Sequence, residues 1–198
     1  MLNMVEGCKI HDASKLNPGY EKIENGYIAN VNAEDIAPLM EHFISLQDDR
    51  VFLILEVPTN EKDEPKNQSG DIEAFHIDVY YWDGMPKDYA MEFLRRNHEL
   101  LVHDGMSRFG FGSHSGNNEI MLDQYNVVRI YTKYPEMYNG MFEKFGIEQV
   151  DELKTAWKYF TYDTPGECCL YNYKGKTIYD FAEFLKQHGL YFAERREK

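Results

Sequence analysis

Four ionisable residues in this 198-residue sequence have types and spacings that could carry chemistry. His76 and Asp78 stand two apart in Phe75-His-Ile-Asp-Val-Tyr-Tyr-Trp82. That run alternates with period two, so on a strand both side chains point to one face. An imidazole beside a carboxylate can bind a metal or work as an acid–base pair. His114 and Glu119 follow the glycine-rich stretch Gly110-Phe-Gly-Ser-His-Ser-Gly116. Together the four would make a small hydrolase or metal-dependent enzyme whose site is assembled from separate strands.

The same alternation supports a second reading, which we favour. It sends Phe75, Ile77, Val79 and Tyr81 to the core, leaving His76, Asp78, Tyr80 and Trp82 on an exposed face. Tyr and Trp bury large areas at small entropic cost, as a binding surface requires. Acids of the neighbouring polar stretch, Glu61, Asp63 and Glu64, would add charge to that surface.

Other motifs point to no particular chemistry. In the glycine-rich stretch the third glycine falls one place late for a dinucleotide fingerprint, and no Gly-Lys-Ser/Thr follows for a P-loop. On a strand, Arg108, Gly110, Gly112 and His114 share a face opposite Phe109 and Phe111. The glycines then let a ring or helix sit close to the sheet. The sharper alternative is a shallow groove floored by glycines and flanked by Arg108 and His114. His98 and His103 are five apart and do not share a helical face. Adjacent Cys168 and Cys169 project oppositely from a strand, and no His lies near them to activate a thiol. H-E-x-x-H, G-x-S-x-G and C-x-x-C are absent from the sequence.

The elements that would position these residues follow from periodicity. Helical spacing is predicted at Ile36–Gln47, with Pro38 in the first turn, from Pro86 to Leu101, from Pro135 to Phe145, across Val150–Phe160 and at Tyr179–His188. Strands are predicted at Tyr27–Val31, Val51–Val57, Ala74–Trp82, Ser107–His114, Glu119–Thr132, Cys168–Tyr173 and Leu190–Ala193. Gly116-Asn-Asn118 suits a hairpin turn. The order predicts an α+β fold: a largely antiparallel sheet of about five to seven strands, with helices packed on one face or end. One domain over 1–198 is expected, with a solvated polar loop at about 58–71. An αββ unit is faintly echoed at 33–82 and 86–131.

Composition narrows the function further. The apolar share is 43%, aromatics make up 15% and the net charge is −13. An acidic chain disfavours nucleic acid and steers toward a basic protein partner. The longest apolar run, Val51–Leu55, is too short to span a membrane. Residues 1–7 lack the basic and apolar regions of a secretion signal, and three cysteines make a poor disulfide framework. A reducing cytoplasm is therefore expected, with no cofactor.

Ser107-Arg-Phe-Gly-Phe-Gly-Ser-His114, Tyr125-Asn-Val-Val-Arg-Ile-Tyr131 and Gly189-Leu-Tyr-Phe-Ala-Glu-Arg-Arg196 stand together in this sequence as a set. With the Trp157 segment and Thr164-Pro-Gly-Glu167, they cover about residues 74–198. In this the chain resembles small bacterial cytosolic α+β proteins, in the style of immunity proteins of polymorphic-toxin systems. The resemblance implies a non-enzymatic, cytosolic protein-binding module, an immunity-type inhibitor of a basic toxin domain. It carries no functional residue across.

Overall fold

A computed structural model describes residues 1–48 and 50–197; Asp49 and Lys198 lie outside the described residues. Along the chain run β1 (Cys8–Lys9), β2 (Gly19–Ile23), β3 (Gly26–Asn30), α1 (Ala33–Ser45), β4 (Arg50–Pro58), β5 (His76–Pro86) and α2 (Lys87–His103). Then come β6 (Arg108–Ser113), β7 (Asn118–Asp123), β8 (Val127–Tyr131), β9 (Glu167–Cys168), α3 (Ile178–Lys186) and β10 (Tyr191–Glu197). Eight strands form one sheet in the order β10-β5-β4-β6-β7-β8-β3-β2, and every neighbouring pair is antiparallel. β1 and β9 form a separate two-stranded sheet. The fold is α+β, and its main sheet has one strand more than the upper end expected from the sequence.

Two αββ units lie side by side, α1-β4-β5 and α2-β6-β7, joined through the β4–β6 pairing. α1 buries Ile36, Leu39, Met40, Phe43 and Ile44, the face its spacing predicts. The helix starts at Ala33, so Pro38 lies in its second turn rather than its first. There it withholds the N–H that would bond the Glu34 carbonyl. α2 buries Phe93, Leu94, Leu100 and Leu101 on the predicted face, whereas Tyr89 is exposed. α3 is fixed at its start by Asp180, whose carboxylate accepts from the Thr177 N–H and hydroxyl, each at 2.8 Å. Phe184 of α3 points outward.

The main core lies between these helices and one face of the sheet. Cross-strand partners share a face, so the register places Leu53, Leu55, Tyr80, Trp82, Phe109 and Phe111 together on that side. Each fully buried Phe or Leu there contributes roughly 1.5–3 kcal/mol. β4 is apolar on both faces because both are covered: Phe52 and Ile54 join Val79 and Met121 in a smaller cluster on the other side. Residues 1–7 form an irregular strap across the helix side, held through Leu2 N–H to Leu16 O, Val5 N–H to Asn126 Oδ1 and Gly7 N–H to His103 O.

Several expected elements differ. The segments 135–145 and 150–160 are not α-helices; they hold only short 3-10 turns at Pro135–Tyr138, Glu143–Phe145 and Ala156–Lys158. Gly140, at φ +73°, breaks the first. The second is drawn out because Glu148 and Val150 hydrogen-bond to Tyr20 at the β2 edge. The expected strand 119–132 is two strands, reversed at Tyr125 and Asn126, both at positive φ. The strand at 168–173 shrinks to Glu167–Cys168. β2 is an additional strand, closed onto β3 by the two-residue turn Glu24-Asn25 before Gly26 at φ +135°.

The 58–71 loop is anchored through Thr59 N–H to His76 O at 2.9 Å, Arg195 Nη1 to the Asp63 carbonyl at 2.6 Å, and Glu64. Glu64 is buried and accepts from the His76 N–H and lies 2.7 Å from His76 Nδ1.

Candidate functional site

Residues 75–82 alternate as expected, and Val79 is buried as expected in the smaller cluster with Ile77 and Tyr81 against it, but the helices cover the other face, the one that carries Tyr80 and Trp82. Tyr80 is 6% exposed within the main core, and Phe75 is 64% exposed. Trp82 is half-buried, packed edge-on against Tyr89 and Phe93 and capped by Gly189. Alternation defines two faces of a strand; it does not say which one the helices cover.

The expected binding set is accordingly largely occupied. His76 is held by Glu64. Asp78 is buried, 2.6 Å from Arg195 Nε and 2.8 Å from the Thr59 hydroxyl. Burial alone would push its carboxyl up; the Arg195 and Thr59 hydrogen bonds outweigh that and hold it below its ordinary value. Lys186 Nζ lies 5.0 Å above the Tyr80 ring. Glu61 and Asp63 remain exposed. Asp63, Asp78 and Tyr80 share a cleft of about 420 Å³ with Lys186 of α3, on the helix side.

The four residues of the catalytic alternative separate into two pairs on opposite sides of the sheet. His76 and Asp78 lie on the helix side, while His114 and Glu119 line one groove on the other. Among the described residues, no group of three or more His, Cys, Asp or Glu is arranged to hold a metal.

That groove, of about 560 Å³, runs over β4, β6 and β7 on the face opposite the helices. The register puts Arg108, Gly110 and Gly112 of β6 beside Glu56, Ile54 and Phe52 of β4. It puts Glu119 and Met121 of β7 beside Tyr131 and Arg129 of β8. The glycines serve both readings weighed from the sequence. A Cβ on Gly112 would collide with the Phe52 ring and one on Gly110 with Met121 and the Ile120 carbonyl, so both side chains lie down on the sheet. The result is a low floor between higher polar walls. Strands β2 and β3 are partly covered on this side: Leu153 N–H bonds Glu21 and Asn30 bonds the Lys154 carbonyl.

Charge in the groove is nearly all paired. Glu56 is buried between two arginines, with Arg108 Nη2 2.7 Å from Oε2 and Arg196 on Oε1. The Arg108 contact is an ion pair whose angles do not make a hydrogen bond. Asp123 accepts from Arg129 Nε at 2.7 Å. At one end His114 Nε2 lies 2.8 Å from Asp83, which also accepts from the Tyr191 hydroxyl, and the imidazole lies 4.6 Å from the Phe52 ring.

Glu119 is the exception. It is half-buried, and among the described residues its carboxylate makes no hydrogen bond and no ion pair. Burial and then the nearby Glu56 charge push its carboxyl above the ordinary value, with Arg196 partly opposing.

Aromatic side chains stand around the groove. Tyr131 is 41% exposed, Tyr191 48% and Trp157 54%. Trp157 lines an adjoining cleft of about 290 Å³ with Arg108 and Glu56. Sequence reasoning placed Arg108, the glycines and His114 on this face but did not find Glu119's isolation, which depends on pairings among β4, β6, β7 and β10.

These features define an α+β protein with helices on one sheet face and an acid-centred, aromatic-flanked groove on the other. No family model, curated protein or solved structure matches the chain.

Proposed function

We propose that the protein is a non-enzymatic binding module that seats a basic protein partner on the helix-free face of its sheet. The observation that carries this reading is Glu119, a half-buried carboxylate that makes no direct ion pair on a groove floor and whose upward push the nearby Arg196 only partly offsets. An incoming guanidinium or ammonium group would supply the missing charge. Tyr131, Trp157 and Tyr191 would bury area around it, and the net charge of −13 would steer a basic surface inward. In its finer form the proposal is a cytoplasmic, immunity-type inhibitor of a basic toxin domain, supported by the acidic charge and by the resemblance of residues 74–198.

The test is retention of a partner from the native cell at low and high salt by the wild type, Glu119→Arg, Tyr131→Ala and the helix-side control Glu183→Lys. One basic protein is expected, retained at low salt and weakened by at least about tenfold in the two groove variants. Equal retention by Glu119→Arg, or loss only in Glu183→Lys, would overturn the placement.

The raised Glu119 carboxyl also favours a second reading, as a general acid in a hydrolytic site beside His114. A hydrolytic activity abolished by both Glu119→Gln and His114→Ala would establish it in place of the first.

A further inference from the structure

On the helix side, away from the groove, β1 and β9 bring together two cysteines separated by 160 residues. Cys8 and Cys168 are direct cross-strand partners, and their sulfurs lie 3.7 Å apart. The backbone bond beside them runs from Cys169 N–H to Gly7 O at 2.8 Å, so the cysteines occupy a non-hydrogen-bonded position of the ladder. Such positions hold the two Cα atoms at about 4.5 Å, within the ~4.4–6.8 Å span that a disulfide bridges.

The surrounding frame is tight. Gly7 N–H bonds His103 O and Gly105 N–H bonds Cys169 O. A Cβ on Gly7 or Gly105 would collide with the other's backbone. Three chain segments therefore cross here, and the sulfurs cannot drift far apart without breaking these contacts.

We propose that Cys8 and Cys168 form an oxidisable dithiol site that closes to an intramolecular disulfide on exchange with a small-molecule disulfide such as oxidised glutathione. Cys168 is half-buried and Cys8 almost fully buried, so solvent reaches Cys168 first. The hydrogen bond to Cys168 and burial also push the Cys8 thiol up, which disfavours it as the first attacker; it reacts second, when the mixed disulfide is already held against it and the attack is intramolecular. In the first step the Cys168 thiol loses its proton to solvent and its sulfur attacks the small disulfide. One glutathione thiolate leaves and a mixed disulfide forms. In the second, Cys8 loses its proton and attacks the Cys168 sulfur, and the second glutathione thiolate leaves. The protein is oxidised by two electrons, one small disulfide is reduced to two thiols, and the two protons end on those thiols. Exposed Cys169 projects to the other side of its strand and does not enter the bridge.

The full-length reduced protein, incubated with increasing oxidised glutathione and then denatured and alkylated, tests this. The peptide bearing Cys8 is expected to be linked to the one bearing Cys168, with exposed Cys169 the only cysteine of the three left to be alkylated or to carry glutathione. Cys169→Ser should still form the bridge. Cys8→Ser should instead hold glutathione on Cys168. The bridged form should melt at higher temperature than the reduced form, because it constrains the unfolded chain. Three alkylated thiols, stable glutathione on wild-type Cys168, a bridge between Cys168 and Cys169, or loss of the bridge in Cys169→Ser would each overturn the proposal. If Cys8→Ser does not fold, the wild-type peptide map still decides.

Discussion

Asn126 is fully buried, and its side chain binds only backbone. Its amide nitrogen donates to the Asn3 and Val31 carbonyls at 2.9 and 2.8 Å, and its oxygen accepts from Val5 N–H at 3.0 Å. Asn126→Ala takes partners from the buried Val5 N–H and Val31 carbonyl, while the Asn3 carbonyl keeps its Ala33 N–H, and should cost roughly 2–4 kcal/mol, read as a lower denaturant midpoint. Glu119 and Asp78 should respond to pH in opposite senses. Glu119 has a folded pKa raised above its ordinary 4.5, so the folded state loses stability as pH climbs from there through the raised value. Glu119→Gln should therefore stabilise at pH 7 by on the order of 0.5–1 kcal/mol, allowing for solvent screening, and the gain should vanish as pH falls back toward 4.5. Asp78 has a folded pKa lowered below 3.8, so its stabilisation is full above that value and lost as pH falls through the folded pKa. Asp78→Asn should destabilise by roughly 1–3 kcal/mol at pH 7, because Arg195 is left without its charge partner. Melting temperatures across pH 2–8 check both. Identical profiles for the two variants and the wild type would refute the account. His114 and Glu119 could be named from sequence as candidates because their residue types limit what they can do. Their surroundings could not, since Glu56, Arg108 and Arg196 come from three separate strands.

At the scale of elements, periodicity was legible wherever one face is buried and the other is not. α1 buries the stripe that its spacing marks, and α2 and α3 bury theirs except for Tyr89 and Phe184, which lie outside. The segment 135–145 carries the same stripe, and Tyr138, Met141 and Phe142 are indeed buried, yet a glycine in left-handed conformation prevents a continuous helix. Apolar spacing thus found the buried residues there but not the backbone that delivers them. β6 gives the sharpest test at this scale. Gly112→Ala should cost roughly 1–3 kcal/mol, because the new methyl meets the Phe52 ring. In a Phe52→Leu background the penalty should shrink, a coupling that a double-mutant cycle measures. An unchanged penalty would mean that the backbone of β7, not the ring, sets the limit.

Taken as a whole, the molecule was readable in class but not in sidedness. Antiparallel order followed from short links between strands, and helices on one face followed from their number and amphipathic stripes. Which face they cover depends on crossovers that no local pattern encodes, and for that reason Tyr80 and Trp82, expected on an exposed face, lie under the helices. β10 completes the arrangement. It pairs with β5 at the sheet's edge and supplies Arg195 to Asp78 and Arg196 to Glu56, so one strand neutralises a carboxylate on each face. Truncation after Gly189 would expose β5 as an edge and leave both acids underpaired. The expected result is loss of cooperative unfolding together with aggregation, seen by melting and light scattering.

The strap formed by residues 1–7 has a consequence for time rather than for energy. The strap contains no regular element, yet the N–H groups of Leu2, Val5 and Gly7 are each bound to a different segment, and all three residues are buried. An amide of this kind trades its proton with solvent only when several segments part at once. In deuterium oxide these three should therefore keep pace with the central strands β4 and β6, orders of magnitude behind the exposed stretch 65–71. A part of the chain that looks like loose covering would then keep the slow clock of the core.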